Sequence, residues 1–448
     1  MCQLNPKKLF TLNSTRTLGI CFWLVLSWPA QAQDLLIPSS DAAFPLAQRD
    51  HPRAACLYRF LQDLGWRFTP GTGTTMKIVA GTPCERADLT EAHDAGDLQA
   101  ELPASVQLQA DPQRWLADLD ALINHPATLC AYKFRLGNAA RAAIDKLAAN
   151  SSYRFSGLQF GWVGFGLSGA AAKGWESIYR WGRGYQPITS NYHAIQSFYN
   201  DRVRSECGVG RQIAQYATQA ELYGPQAFDA EFAKDEIVIG TFNKLHRTRS
   251  ILLGSHAGEL FGDGLARATA LLGRQAFVGL PGFVYAVDRS KLIDISNQAQ
   301  NFVIYDVSSA AANALRNQQG FAYYNARNEE LWRLAQNIRT GSGRKFQRLL
   351  IDKEPELRRD LNTIERVAVE AMDNIMADPF YSGFMIYVHA QGVQAVGYHI
   401  ARLLDRNPGT PFRIELALHN LHTELYLRYA RHQIHACLRS TAATNAAR

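Results

Sequence analysis

The chain has 448 residues, 47% of them hydrophobic, and a formal net charge of +7, which is enough apolar material for a substantial core and enough length for two domains. The positive balance is spread out. No basic run with interleaved aromatics occurs, so the composition argues against a nucleic-acid-binding protein and fits weak attraction to an anionic envelope surface.

Residues 1–32 read as a cleavable export signal. Lys7, Lys8 and Arg16 precede an apolar run from Leu18 to Trp28, and Ala30-Gln31-Ala32 offers small residues for cleavage. The run falls short of the roughly 20 residues a membrane-spanning helix needs. Removing the leader takes three of the seven net positive charges and leaves a mature chain from Gln33 expected in a periplasm or outside the cell. Five cysteines remain: Cys56, Cys84, Cys130, Cys207 and Cys437. In an oxidising compartment an odd number leaves one thiol over, and crowding in the first third makes a disulfide among Cys56, Cys84 and Cys130 the first expectation. The absence of C-x-x-C excludes a thioredoxin-type centre, a zinc knuckle and attached c-type haem.

Residues 33–150 form a helical, cysteine-bearing region. Ala54, Leu57, Leu61 and Leu64 make a helical stripe, Pro112 opens a second helix through Ile123, and Ala139 to Ala149 makes a third. Asn150-Ser151-Ser152 is the expected boundary. Residues 151–190 connect, and include a Gly/aromatic stretch from Phe160 to Gly169 with a formal G-x-G-x-x-G at Gly164, Gly166 and Gly169. No acidic residue follows at the place a dinucleotide site requires, so no cofactor is expected. The stretch instead suits close backbone packing, or peripheral contact with a membrane or partner.

Residues 191–438 read as an α/β domain, with a mixed α+β arrangement as the variant, and residues 439–448 as a flexible tail. Strands are expected at Asp235–Phe242, Ile251–Gly254, Phe277–Val287 and Asn301–Val307, the last followed by a serine-capped helix that stops at Gly320. Helical sequence continues to Ala377. Gly383–Val388, Val393–Leu404, Phe412–Leu418 and Asn420–Cys437 then read as strand, helix, strand, helix, which predicts a mixed sheet with a parallel βαβ unit at the carboxyl terminus.

Cys207 is the candidate nucleophile. A helix restart at this point would let the helix dipole and exposed N–H groups favour a thiolate, Gly208 and Gly210 would admit a substrate carbonyl, and Arg211 adds charge one turn on. On a continuous helix, Tyr199, Val203 and Cys207 would instead share an apolar edge. His256 is one candidate base. His389 and His419 are others, since each ends a strand, and parallel pairing would bring both to one sheet edge with Asp306 as orienting acid. The pairs His419/His422 and His432/His435 fall on opposite sides of one helix, and there is no H-E-x-x-H, so no metal is expected. No Gly-Lys dipeptide and no G-x-S-x-G occur, which disfavours a Walker loop and a serine nucleophile elbow. Together these features predict an exported cysteine-dependent hydrolase or acyltransferase acting on a peptide, amide or cell-envelope polymer. The alternative is a non-catalytic envelope protein that binds a partner or lipid through the Gly/aromatic stretch.

Overall fold

The computed structural model describes residues 52–70, 76–80, 112–155, 174–178, 184–240, 250–251, 260–261, 266, 269–270, 273–294, 297–339, 344–388, 392–418 and 421–446. In chain order the helices and strands are α1 (Pro52–Asp63), β1 (Trp66–Pro70), β2 (Met76–Ala80), α2 (Pro112–Ile123), α3 (Pro126–Ala149), β3 (Tyr153–Phe155), β4 (Trp175–Ser177), β5 (Gly184–Pro187), α4 (Asn191–Asn200), β6 (Val203–Ser205), α5 (Cys207–Tyr223), α6 (Pro225–Glu231), β7 (Ile239–Gly240) and β8 (Leu260–Phe261). There follow β9 (Pro281–Ala286), β10 (Ala299–Val307), α7 (Ser309–Asn317), α8 (Phe321–Ala335), α9 (Pro355–Arg359), α10 (Thr363–Met376), α11 (Pro379–Gly383), β11 (Phe384–Tyr387), β12 (Val393–Ala395), α12 (Val396–Arg406), β13 (Phe412–Leu418) and α13 (Leu421–Ala446). Helix and strand are mixed, as composition and pattern predict.

The chain divides into two compact units that do not follow its order. Among the described residues, those up to 80, those from 112 to 129 and those from 425 onward form the first, and those from 130 to 424 the second. The division expected at Asn150 therefore falls elsewhere, because the sequence shows where helices stop and not which of them share a core.

The first unit gathers α1, the β1–β2 hairpin, α2 and most of α13. The hairpin is antiparallel, with Trp66 opposite Ala80, so this region is not helical throughout. Its core combines Leu57, Phe60 and Leu61 of α1 with Leu119 and Leu122 of α2 and Tyr426 and Ala430 of α13. Buried polar groups are satisfied locally: Trp66 Nε1 donates to Thr128 Oγ1 at 2.8 Å, and the Thr128 hydroxyl donates to the Leu122 carbonyl at 2.5 Å. A disulfide joins Cys56 to Cys437, 381 residues apart, with Cα atoms 5.7 Å from each other. This corrects the expected pairing of Cys56 with a neighbour in sequence: α13 carries Cys437 onto α1, a proximity made by folding alone. Cys84 and the side chain of Cys130 lie outside the described residues. Helix α13 also runs on to Ala446, so residues 439–446 are helical rather than a flexible tail.

The second unit is built on a six-stranded sheet in the order β12-β11-β10-β9-β13-β8, antiparallel at every pairing. One face carries Phe302 and Ile304 of β10, Ile386 of β11 and Ile414 of β13 into a core covered by α7, α8, α10 and α12. Asn325 of α8 fastens that layer to β13, accepting from Ile414 N–H at 2.8 Å and donating to its carbonyl at 3.1 Å. Gly282 in β9 is there because nothing larger fits. A Cβ at this position would come within 2.5 Å of the Phe302 ring and 2.6 Å of the Glu415 carbonyl. The opposite face of β10 meets α5 and, through Tyr305 and Asp306, α3.

The parallel βαβ unit expected at the carboxyl terminus does not form. Both edges of β11 are already occupied, one by β10 and the other by β12. Strand β13 pairs with β9 instead, three positions from β11 in the sheet and running in the opposite direction to it. The parallel pair among the described residues is β3 with β6, Tyr153 opposite Val203. It arises earlier in the chain, where α4 ends at Asn200 and the backbone extends through β6 before α5 begins. Tyr199, Val203 and Cys207 therefore do not lie on one continuous helix.

Candidate functional site

Cys207 is the first residue of α5, and its thiol is not part of a disulfide. The break that produces this start is local. Ser205 belongs to β6, Glu206 has extended backbone, and its side chain caps the helix. The Glu206 carboxylate accepts from Gly208 N–H at 2.7 Å and Val209 N–H at 2.6 Å, satisfying two donors that a helix otherwise leaves open. The half-buried sulfur meets the start of β10: Asn301 Nδ2 donates to Sγ at 3.4 Å, and the thiol lies 3.6 Å from the Ala299 carbonyl as donor.

These contacts act in opposite senses. The Asn301 amide and the helix start favour negative charge on sulfur. The Glu206 carboxylate opposes it, and also covers the N–H pair that would meet a substrate oxyanion. Tyr153, beside Glu206 and Cys207, belongs to a group of buried phenols with Tyr387 and Tyr199. Tyr153 and Ser205 share a 2.5 Å hydrogen bond between hydroxyls. Burial pushes ionisation of Tyr153 well above the usual tyrosine range, with the nearby charges of Glu206 and Cys207 adding to it. Tyr387 is fully buried, and its hydroxyl has no hydrogen-bond partner among the described residues. Tyr199 donates to Glu221 at 2.9 Å, while Lys146 holds the other oxygen of that carboxylate at 2.6 Å. All three phenols are neutral near pH 7. Arg211, expected to add charge at the helix start, is buried in α5 with 4% of its surface exposed.

Asp306 sits elsewhere. Its carboxylate pairs with Arg141 at 2.5 Å, beside the Tyr305–Asp145 hydrogen bond of 2.9 Å. Five residues of extended strand separate it from Asn301, roughly 16 Å at the rise of a β-strand. A nucleophile–base–acid relay needs consecutive hydrogen bonds of about 3 Å through one imidazole. Asp306 is engaged by Arg141 and stands along β10 from the residues that meet Cys207. His256, His389 and His419 lie outside the described residues, as does the Gly/aromatic stretch at 160–169. Tyr387 of β11 is opposite Val303 of β10, so β11 ends at the Asn301 side of the sheet. Strand β13 runs the other way, and its last residues lead toward the Asp306 end.

Sequence reasoning missed Glu206 and Asn301. Glu206 was legible as an acceptor just before a helix start. Asn301 was read only as the head of an apolar strand, and its contact with Cys207 spans 94 residues. Among the described residues no three histidine, cysteine or acidic side chains are placed to hold a metal, and no helix is long and apolar enough to cross a membrane. No protein-family model matches the chain, and neither a similar curated protein nor a similar solved structure was found.

Proposed function

We propose that the protein is an exported cysteine-dependent hydrolase or acyltransferase acting on a peptide, amide or cell-envelope polymer, with Cys207 as nucleophile. One observation carries the reading: a thiol stands at the first position of a helix and receives a hydrogen bond from Asn301. Both features favour thiolate over thiol. Of the candidate bases, His389 is preferred, because it follows Val388 where β11 ends on the Asn301 side. The third member of a triad built around Asp306 is given up, and a Cys–His pair with Asn301 beside the sulfur takes its place. Glu206 holds the site at rest. Substrate has to displace its carboxylate before Gly208 and Val209 N–H can receive an oxyanion, so acyl transfer is coupled to a single side-chain rotation.

Alkylation of Cys207 in the native protein, followed by peptide mapping, tests this. Glu206→Gln is expected to raise the iodoacetamide rate at pH 7 about tenfold, above that of an unstructured cysteine peptide, and Asn301→Ala to lower it. If Cys207 in Glu206→Gln reacts no faster than the peptide, the thiol is a packing residue and the enzymatic reading falls. The export half rests on the leader and fits a structural disulfide, which persists in oxidising compartments. Amino-terminal sequencing of material recovered outside the cytoplasm should begin at Gln33, and an intact Met1 would reject export.

A further inference from the structure

Two arginines lie on the face of α12 that meets the segment before β10, and a third lies within electrostatic reach of them. Arg402 and Arg406 stand four residues apart on the helix and so share that face. Arg402 Nη2 donates to Asn297 Oδ1 at 3.3 Å, and Arg406 Nη1 lies 3.7 Å from Asp294 Oδ2. Asn297 Nδ2 donates to the same Asp294 oxygen at 2.7 Å, linking both guanidinium groups to one small polar surface. The third arginine comes from another part of the chain. The Asp405 carboxylate accepts from Phe346 N–H at 2.7 Å and Gln347 N–H at 3.1 Å, which fastens the segment beginning at Arg344 against α12. Arg344 carries no side-chain hydrogen bond or ion pair among the described residues.

Three guanidinium groups here face two carboxylates. Asp405 accepts from backbone N–H groups and also lies within electrostatic reach of Arg406 and Arg344. Asp294 accepts from Asn297 and makes a loose contact with Arg406. Burial lowers Arg402 from the ordinary arginine range, and the like charges of Arg406 and Arg344 add to that while Tyr398 and Asp294 work against it. A half-buried cation beside two others is an arrangement that an incoming anion relieves. Guanidinium groups present paired N–H donors whose spacing matches the oxygens of a phosphate, and Asn297 already fixes one of them in place.

We propose that Arg344, Arg402 and Arg406 form a binding site for a phosphate group, either inorganic phosphate or a phosphomonoester lipid headgroup at the envelope surface. The site is separate from Cys207 and does not depend on the enzymatic reading. Calorimetric titration of the disulfide-intact protein with inorganic phosphate tests the first source, and flotation with phosphatidic acid vesicles, against phosphatidylcholine vesicles, tests the second. Saturable binding to at least one probe is expected. Arg344→Gln and Arg402→Gln should each weaken it about tenfold, while Arg333→Gln, which removes an exposed arginine paired with Glu329, leaves it unchanged. A structural role makes a different forecast. If Arg402 serves only packing, Arg402→Gln lowers the melting temperature and leaves phosphate binding unchanged; a ligand site loses binding whatever happens to the melting temperature. The exposed Arg344 gives a second variant that does not endanger folding. Binding of neither probe, or binding that survives both substitutions, overturns the proposal.

Discussion

The two units reach stability by different routes. The first is assembled from segments far apart in the chain, places a modest set of side chains around α1, α2 and α13, and closes with a disulfide across 381 residues. The second has a six-stranded antiparallel sheet with helices on both faces and a core running from Ala266 to Leu416. Small cores bury too little surface to outweigh chain entropy by a wide margin, and a covalent link compensates by restricting the unfolded chain. Large cores need no such link. Cys207, the thiol among the described cysteines, belongs to the sheet-based unit, where packing rather than a disulfide sets its surroundings.

Cutting the staple is the strongest way to break this comparison. Cys56→Ser with Cys437→Ser should destabilise the first unit by about 2–5 kcal/mol, the range for a native disulfide closing a long loop. Hydrogen exchange resolved by peptide is the measurement. Amides of α1, α2 and α13 should lose protection, while those of β9, β10 and β13 keep theirs. Equal loss in both units would show that the disulfide supports the whole chain, and the contrast drawn above would be wrong.

How far each unit could be foreseen follows the same division. Local signals were legible: Pro112 opens α2, the Ser308 hydroxyl accepts from Ala311 N–H as a cap, and Phe412 to Leu418 alternates as a half-buried strand. Cys207 at a helix start was legible too, from the two glycines that follow it. Pairing was not. Nothing in GFMIYVH shows that both edges of β11 are taken, one of them by the three-residue strand β12, which reads as the beginning of a helix. That one omission turns an antiparallel sheet into an expected parallel unit. Contacts such as Cys56–Cys437 and Asn301–Cys207 depend on which surfaces meet after folding, and no periodicity encodes them.

A smaller effect sharpens the comparison through pH. Glu365 is the third residue of α10 and is almost fully buried, an unusual place for a carboxylate. It completes a capping box, accepting from Asn362 N–H at 3.1 Å while the Asn362 side chain accepts from Glu365 N–H at 3.0 Å. Its other oxygen accepts from Arg339 Nε at 3.2 Å and Arg339 N–H at 3.1 Å. The Arg339 guanidinium, followed by the backbone N–H of Asn362, holds the carboxyl down to about 2 from an ordinary 4.5, against the opposing effect of burial. A carboxyl depressed in the folded state contributes stability that is fully present above pH 4.5 and is lost as the pH falls through about 2. The arginine is mostly exposed, so solvent screening tempers its share of the effect. Glu365→Gln should cost the second unit about 1 kcal/mol near neutrality, the usual worth of a helix cap, and the deficit should shrink toward zero near pH 2. Unfolding in urea at pH 7, 4 and 2.5, followed by exchange in α10, reads this out. A deficit that stays constant across those three pH values would mean that the charge on Glu365 contributes nothing and that its shape alone fills the site.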